Sequence, residues 1–233
     1  MTSRNKPGVF VLVGGGEFGP GCRDLDAELV AAASATEVVV LPTAAAFEHP
    51  ERVGARATAH FEPLGVTVRV LDVLHRAEAN DPKIAEIVRA AKFVYLTDGS
   101  PLHLRSVLKG SGLFEALLAC LHGGGVLAAS GAGATVLCDP MVDPRGGAYT
   151  VGLGVVQNLA VFPYHGTAAN HLRERSIDLL PRNATLVGID EETALVREAD
   201  GSWRVAGAGH VTVYATDSSI MYESGARIAG LPA

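Results

Sequence analysis

A buried strand that turns directly into a helix is predicted by one stretch of the chain, Val126-Leu127-Ala128-Ala129-Ser130-Gly131-Ala132-Gly133-Ala134. Its first residues form an apolar run typical of a strand covered on both faces. The residues that follow are all small, as a sharp reversal from strand into helix requires, because any bulk beside the bend would clash. The stretch therefore predicts the strand-turn-helix geometry known as a nucleophile elbow.

The chain on both sides of this stretch alternates short β-branched runs with helical patterns, which predicts a parallel sheet built from βαβ units. The predicted strands are Val9 to Val13, Glu37 to Leu41, Val66 to Leu71, Phe93 to Leu96 and Val126 to Ala129. The predicted helices are Asp24 to Ala35, Pro50 to Glu62, Asp81 to Ala91, Leu102 to Leu121 with a break at Gly110 and Gly112, and Asn170 to Leu180.

The last quarter of the chain lacks the alternation of strand and helix patterns and instead has short strand patterns joined by turns such as Asp200-Gly201. The strands predicted there are Thr185 to Ile189, Ala194 to Arg197, Trp203 to Ala206 and His210 to Tyr214. We therefore predict a three-layer α/β/α fold with a mostly parallel central sheet and a small C-terminal β extension. No linker or repeat interrupts the pattern, so residues 1–233 are predicted to form one domain.

Composition excludes several classes of protein. Hydrophobic residues make up 48% and charged residues 19% of the 233 residues, which suits a globular fold rather than a disordered chain. The formal net charge is -6, and no stripe of Lys or Arg could neutralise successive phosphates. Neither nucleic acid nor an anionic membrane is therefore expected as a partner.

The cysteines and histidines give no sign of a disulfide framework or a metal site. Cys22, Cys120 and Cys138 are far apart and odd in number, and the histidines lack metal-ligand spacing, so neither metal nor cofactor is predicted. The polar start Met1 to Pro7 is followed by an apolar run too short for a signal sequence or a membrane span. This pattern predicts a cytoplasmic protein.

Ligands of open α/β sheets lie beyond the carboxyl ends of the strands, so the loops after each predicted strand hold the candidate ligand contacts. These candidates are Glu17, Asp98, Gly99, Ser100 and Ala132. Glu17 and Asp98 could bind a cationic group or carry out acid-base chemistry near a histidine, or they could simply lie in solvated loops.

The loop after the first strand matches Gly-x-Gly-x-x-Gly through Gly14, Gly16 and Gly19. Pro20 stands where the helix of a dinucleotide site should begin, and no acid for a ribose hydroxyl follows the second strand. We therefore interpret the motif as a turn that lets the backbone approach a pocket wall.

Several segments together resemble the cyanophycinase and dipeptidase E serine peptidases over nearly the whole chain. The elbow resembles that family's Gly-[Ser/Thr]-Ser-Ala-Gly-Ala motif, with Gly131 at the serine. The other matching segments are Val11 to Glu17, Leu41 to Ala44, Leu96 to Leu104, Gly152 to Gly154 followed by His165, and Gly188 to Leu195.

The resemblance implies a fold like that of glutamine amidotransferase domains, also called flavodoxin-like, and a Ser-His-acid mechanism against peptides with acidic or isoaspartyl residues. It places His165 as the general base, but Gly131 has no side chain that could attack a carbonyl. Asp98 and Pro101 stand where the family pattern has a glycine and a glutamine. Downstream of the elbow, no carboxylate stands at the distance at which the family's acid is expected.

The leading hypothesis is therefore a relative that is inactive as a serine peptidase and binds a peptide or amino-acid ligand. One alternative is a hydrolase that uses Ser130 or Ser100 with His165, although Ser130 should point to the opposite face from the apex residue. The other alternative is a non-catalytic interaction subunit. A homodimer is a family-level expectation.

Overall fold

The computed structural model describes residues 7–215 and 218–232. The first six residues, on which the prediction of a cytoplasmic protein partly rests, lie outside the described residues. The helices are α1 (Arg23–Ala33), α2 (Pro50–Phe61), α3 (Pro82–Ala90), α4 (Pro101–Leu108), α5 (Gly112–His122), α6 (Ala132–Leu137) and α7 (Asn170–Asp178). Short 3-10 turns occupy Pro20–Cys22, Thr43–Ala45, Glu62–Leu64 and Glu78–Asn80.

The strands fall into two groups along the chain. Those up to the elbow are β1 (Val9–Val13), β2 (Glu37–Leu41), β3 (Thr67–Val70), β4 (Phe93–Leu96) and β5 (Val126–Ser130). Those after it are β6 (Cys138–Asp139), β7 (Met141–Val142), β8 (Tyr149–Thr150), β9 (Val156–Gln157), β10 (Leu159–Phe162), β11 (Thr185–Ile189), β12 (Thr193–Arg197), β13 (Trp203–Gly207), β14 (His210–Ala215), β15 (Ser218–Glu223) and β16 (Arg227–Ile228).

The central sheet, within the described residues, has eight strands in the order β16-β13-β12-β1-β5-β4-β2-β3. From β1 to β3 all neighbours are parallel, whereas β12, β13 and β16 continue the sheet antiparallel. β5 lies between β1 and β4, so the loops after these three strands meet at one edge of the sheet. That edge carries the elbow.

Alternation along the strands sends side chains to two separate cores, as a sheet covered on both faces requires. In β1, Phe10 and Leu12 pack with the residues of α3, α4, α5 and α6. Val11 and Val13 point the other way and pack with α1 and α2. All four of these side chains are at most 2% exposed. The predicted three-layer α/β/α fold is confirmed.

A second sheet, in the order β10-β11-β14-β15, stands beside the central one. One of its faces contributes Val161, Val187 and Val211 to the core under α3 to α6. The other face is covered by α7 through Leu172 and Ile177. This sheet matters for the site because the loops after β10 and β11 also reach the edge that carries the elbow.

The predicted strand and helix positions agree with the structure to within a few residues, and the predicted break at Gly110 and Gly112 separates α4 from α5. The predicted C-terminal strands divide between the two sheets, since β12 and β13 join the central sheet while β11 and β14 belong to the second sheet. Within the described residues, no helix combines the length and apolar character needed to cross a bilayer.

Candidate functional site

The elbow at Gly131 has the backbone conformation predicted from its sequence. Gly131 joins β5 to α6 with φ 47° and ψ -103°, in the region of positive φ that glycine adopts freely and other residues rarely do. Its N–H donates to the carbonyl oxygen of Val13 (2.9 Å), and its carbonyl accepts from the amide N and Oγ1 of Thr135 (3.0 and 2.9 Å). These bonds fix the turn in place.

The carboxyl group of Asp98 occupies the space that a side chain at residue 131 would need. A Cβ built on Gly131 would have Asp98 Cγ, Oδ1 and Oδ2 all within 2.5 Å, closer than real Cβ contacts come. The sheet register explains this proximity, because Leu96 of β4 pairs with Ala129 of β5 and each site residue follows two positions later. The apex is therefore filled by a carboxylate from the neighbouring loop.

The same carboxylate is bound to the backbone amide that follows the apex. Ala132 N donates to Asp98 Oδ1 (2.6 Å), and the Tyr164 hydroxyl donates to Asp98 Oδ2. In hydrolases with an elbow, the amide after the nucleophile is one donor of the oxyanion hole. Asp98 thus fills the side-chain space at residue 131 and binds the amide that corresponds to this donor.

Glu17 lies beneath the elbow as a buried carboxylate, 5% exposed. Ser130 Oγ donates to Glu17 Oε2 (2.8 Å), and the amide of Asp98 donates to Oε1 (3.3 Å). Arg56 Nη2 lies 3.6 Å from the same Oε1. Burial raises the pKa of Glu17, and the negative charge of Asp98 raises it further.

Tyr164 brings its hydroxyl to the elbow from the loop after β10. Its backbone has φ 54°, and its amide donates to the carbonyl of Gly14 (2.7 Å). The ring covers Gly15, where an added Cβ would have three ring atoms within 2.8 Å. Burial and the charge of Asp98 raise the pKa of Tyr164 well above its usual value, so its hydroxyl remains a donor.

His165 is engaged away from the elbow. Its Nδ1 lies 3.4 Å from Asp190 Oδ1 and its Nε2 lies 2.6 Å from the Tyr214 hydroxyl. β10 and β11 are parallel with Phe162 opposite Gly188, so the residues that follow the two strands meet. Burial lowers the pKa of His165, and the hydrogen bond that its Nδ1 donates to Asp190 partly opposes that shift.

Two cavities lie on either side of the Asp98 and Tyr164 pair. The elbow cavity, of about 240 Å³, is lined by Asp98, Gly99, Pro101, Ala132, Thr135, Val142, Asp143, Pro144, Gly147, Phe162, Pro163, Tyr164, Ala168 and Leu172. The second cavity, of about 360 Å³, is lined by Gly16, Glu17, Ala45, Glu48, Val53, Arg56, Asp98, Gly99, Tyr164 and Glu191. The lining of the first is mainly apolar and that of the second is mainly polar.

The structure brings four of the five predicted ligand contacts together. Glu17, Asp98, Gly99 and Ala132 all border one of the two cavities. Ser100 instead caps α4, where its Oγ accepts from the amide of His103 (3.3 Å), and it lines neither cavity.

Two residues at the site were not predicted from the sequence, namely Tyr164 and Asp190. Tyr164 is the neighbour of the predicted base His165, but nothing in the sequence says which of the two side chains turns toward the elbow. Asp190 was identified only as part of the segment Gly188 to Leu195, yet it is the carboxylate that contacts His165. Its position directly after a predicted strand, like that of Asp98 and the elbow, was the signal that could have identified it.

Comparisons with known proteins show the family of the chain. The family model described as Peptidase family S51 matches residues 10–204. The cyanophycinase of Trichormus variabilis (strain ATCC 29413 / PCC 7937) is 30% identical over 199 residues, which are 78% of this chain and 64% of the relative. The chain thus covers less than two thirds of that relative's length. The cyanophycinase of Synechococcus elongatus is 26% identical over 217 residues, covering 88% of this chain and 67% of the relative.

A solved structure of a peptidase from an acI-B1 actinobacterium superposes with a TM-score of 0.88 at 27% identity. The alignment covers 97% of this chain and 98% of the other. These matches confirm the predicted resemblance at the level of the family, and they agree with the predicted fold.

Proposed function

Because the chain belongs to peptidase family S51, we propose that it has lost serine-peptidase catalysis and uses the elbow cavity to bind a small ligand such as a peptide or an amino acid. One observation carries this proposal, namely the Asp98 carboxyl group in the space of a side chain at residue 131. A hydrolase of this type needs a hydroxyl there, and the position holds neither a hydroxyl nor room for one.

The magnitude of the expected loss excludes ordinary turnover. Removing the serine from a comparable triad lowers kcat by about 10⁶-fold, and what remains comes from binding and the oxyanion hole. Here one donor of that hole, Ala132 N, already binds Asp98 at 2.6 Å. A fixed negative charge at that donor opposes the developing charge of a tetrahedral intermediate.

The hydroxyls that could substitute are committed to other contacts. Ser130 is fully buried and its Oγ donates to Glu17, so it faces away from the cavity and has a carboxylate rather than an imidazole as its partner. Ser100 caps α4. A nucleophilic serine needs a base within hydrogen-bond reach, and His165 directs its ring nitrogens to Asp190 and Tyr214.

The elbow cavity itself supports a binding role. It has apolar walls and a few convergent polar groups, which is the usual composition of a small-molecule site. Thermal shift assays with Asp-containing dipeptides and free amino acids test this role, because a ligand that binds only the native state raises Tm. An interaction subunit with an unused cavity would show no shift with any of these compounds.

A fluorophosphonate probe tests the loss of catalysis. We expect no labelling of the native protein above the level of a heat-denatured sample. Ser130→Ala and Ser100→Ala serve as matched variants, since each removes one candidate nucleophile and leaves the cavity walls unchanged. Labelling of the native protein that disappears in either variant would show a working serine and overturn the proposal.

A further inference from the structure

Asp98 is an acid without a basic partner in the described part of the chain. Its oxygens accept from an amide and from a phenol, and no Lys, Arg or His nitrogen of the described residues lies within 4.0 Å of them. Arg56, the arginine bordering the second cavity, approaches Glu17 instead, at 3.6 Å. The negative charge of Asp98 is therefore not neutralised by a neighbouring cation.

The nearest charged group behind Asp98 is a second carboxyl group, that of Glu17, and not a cation. The pKa of Glu17 is raised first by burial and then by the charge of Asp98. Asp143, at the rim of the elbow cavity, is already paired with Arg145 through bonds of 2.6 and 3.0 Å. Asp98 is thus the carboxylate whose charge is left for a ligand entering the elbow cavity.

The walls of the elbow cavity determine the rest of the ligand. Side chains that carry no charge, among them Pro101, Val142, Phe162 and Leu172, line most of its surface. An apolar cavity of about 150 Å³ is large enough for benzene. The elbow cavity, at about 240 Å³, has room for a ring and a short chain.

We propose that the elbow cavity binds an organic ammonium ion, with Asp98 as its counter-ion and an aromatic or branched aliphatic substituent against the apolar walls. This inference rests on the proposed binding function and specifies its ligand class. An ammonium ion is compact and carries three donors, and a carboxylate has about four acceptor positions, of which Ala132 and Tyr164 use two. The place where an elbow hydrolase stabilises a negative charge thus selects a positive one.

The test compares three probes of similar shape by calorimetric titration at pH 7. They are 2-phenylethylamine as the cation, 2-phenylethanol as the neutral molecule and 3-phenylpropionate as the anion. We expect the amine to bind at least tenfold more tightly than the alcohol, which corresponds to about 1.4 kcal/mol, and the anion to bind more weakly than both. Methylamine, which lacks the apolar group, should bind at least tenfold more weakly than 2-phenylethylamine.

Two variants assign the preference to one carboxylate. Asp98→Asn keeps a side chain of the same shape and removes the charge, so the amine and the alcohol should then bind within twofold of each other. Asp143→Asn removes a rim carboxylate that is already paired, and it should leave the tenfold preference intact.

Equal binding of amine and alcohol to the native protein, tightest binding of the anion, or no binding of the amine would overturn the ammonium proposal. None of these binding results would be evidence of peptidase activity, so the proposed loss of catalysis would stand. Conversely, a serine labelled by fluorophosphonate would refute the loss of catalysis while leaving the charge preference of the cavity as measured.

Discussion

Adding a single methyl group at the elbow apex tests whether Asp98 truly occupies that position. In Gly131→Ala, the new Cβ would have three atoms of the Asp98 carboxyl group within 2.5 Å, so one of the two groups must move. Overpacking of this kind costs about 1–3 kcal/mol. The φ of 47° adds roughly 1–2 kcal/mol, because a residue with a Cβ is strained there. We expect Gly131→Ala to lose about 2–5 kcal/mol of stability.

Combining Gly131→Ala with Asp98→Gly should remove the steric part of the destabilisation, because Asp98→Gly removes the carboxyl group that clashes with the new Cβ. Alone, it removes hydrogen bonds to a charged group, each worth about 1.5–3 kcal/mol. In the double variant the methyl group enters space that the carboxyl group has left. The double variant should therefore be more stable than the sum of the single effects predicts, by about 1–3 kcal/mol, the range expected for residues in contact.

Urea denaturation of the native protein, both single variants and the double variant gives the coupling free energy directly. Gly65→Ala is the matched control, because Gly65 has φ 80° and an added Cβ would meet nothing within 4 Å. It reports the cost of adding a Cβ at positive φ without a steric clash, which should be about 1–2 kcal/mol. Single-variant effects that add to within about 0.5 kcal/mol would refute the reasoning, since they would show that residues 98 and 131 do not compete for space.

Three further predictions follow from charges and contacts beneath the site. Glu17→Gln should be more stable than the native protein at neutral pH and should lose that advantage as pH falls through the raised folded-state pKa of Glu17 to about 4.5, the ordinary pKa of a glutamate. The reason is that the folded-state pKa of Glu17 lies above its unfolded-state pKa, so the stability of the native protein falls as pH rises from the lower value to the higher one. Urea denaturation of both proteins at pH 4 and pH 8 checks this. A stability difference between them that is the same at both pH values would contradict it. His60→Ala should lower the free energy of unfolding by about 3–5 kcal/mol, because the variant leaves Asp26 as a buried charge without a partner. In the native protein Asp26 is 2% exposed and lies 2.8 Å from His60 Nε2. A loss under 1 kcal/mol in urea denaturation would show that this pair contributes little to stability. Gly188→Ala places a Cβ within 2.8 Å of three His165 ring atoms, so the ring should move toward solvent. The pKa of His165, which burial lowers, should then rise toward 6.5, as measured by NMR titration. An unchanged pKa of His165 would show that the ring has not moved.

The parallel half of the fold could be predicted from the sequence because its signals are local. β1, β2 and β4 are apolar runs with the bounds expected, and each is followed by a helical pattern. Runs that are apolar on both faces occur where helices cover both sides of a sheet, so the layer order follows from the strands themselves.

The positions of the C-terminal strands were predicted from the sequence, whereas their pairing partners were not. β12 pairs with β1, which is distant in the sequence, and β11 pairs with β10, which was not among the predicted strands. Strand pairing depends on side-chain packing across the sheet rather than on the pattern within one strand. For that reason a local pattern could give their positions and not their sheet.

At the site, the sequence identified the residues and missed their relation. Gly131 and Asp98 each stood out as departures from the family pattern, in separate loops. That the carboxyl group of one fills the side-chain space of the other follows from the register of β4 and β5. The two departures thus lie in direct contact at the elbow.

What the sequence alone determined is the elbow and the glycine at its apex, because a sharp turn from an apolar strand into a helix needs a run of small residues. Only the tertiary structure decided which groups surround that apex, bringing Asp98 and Tyr164 to it and turning His165 toward Asp190. The physical reason is that side chains from distant loops are placed by strand register and by competition for space, and neither is encoded in the residues next to them in the chain.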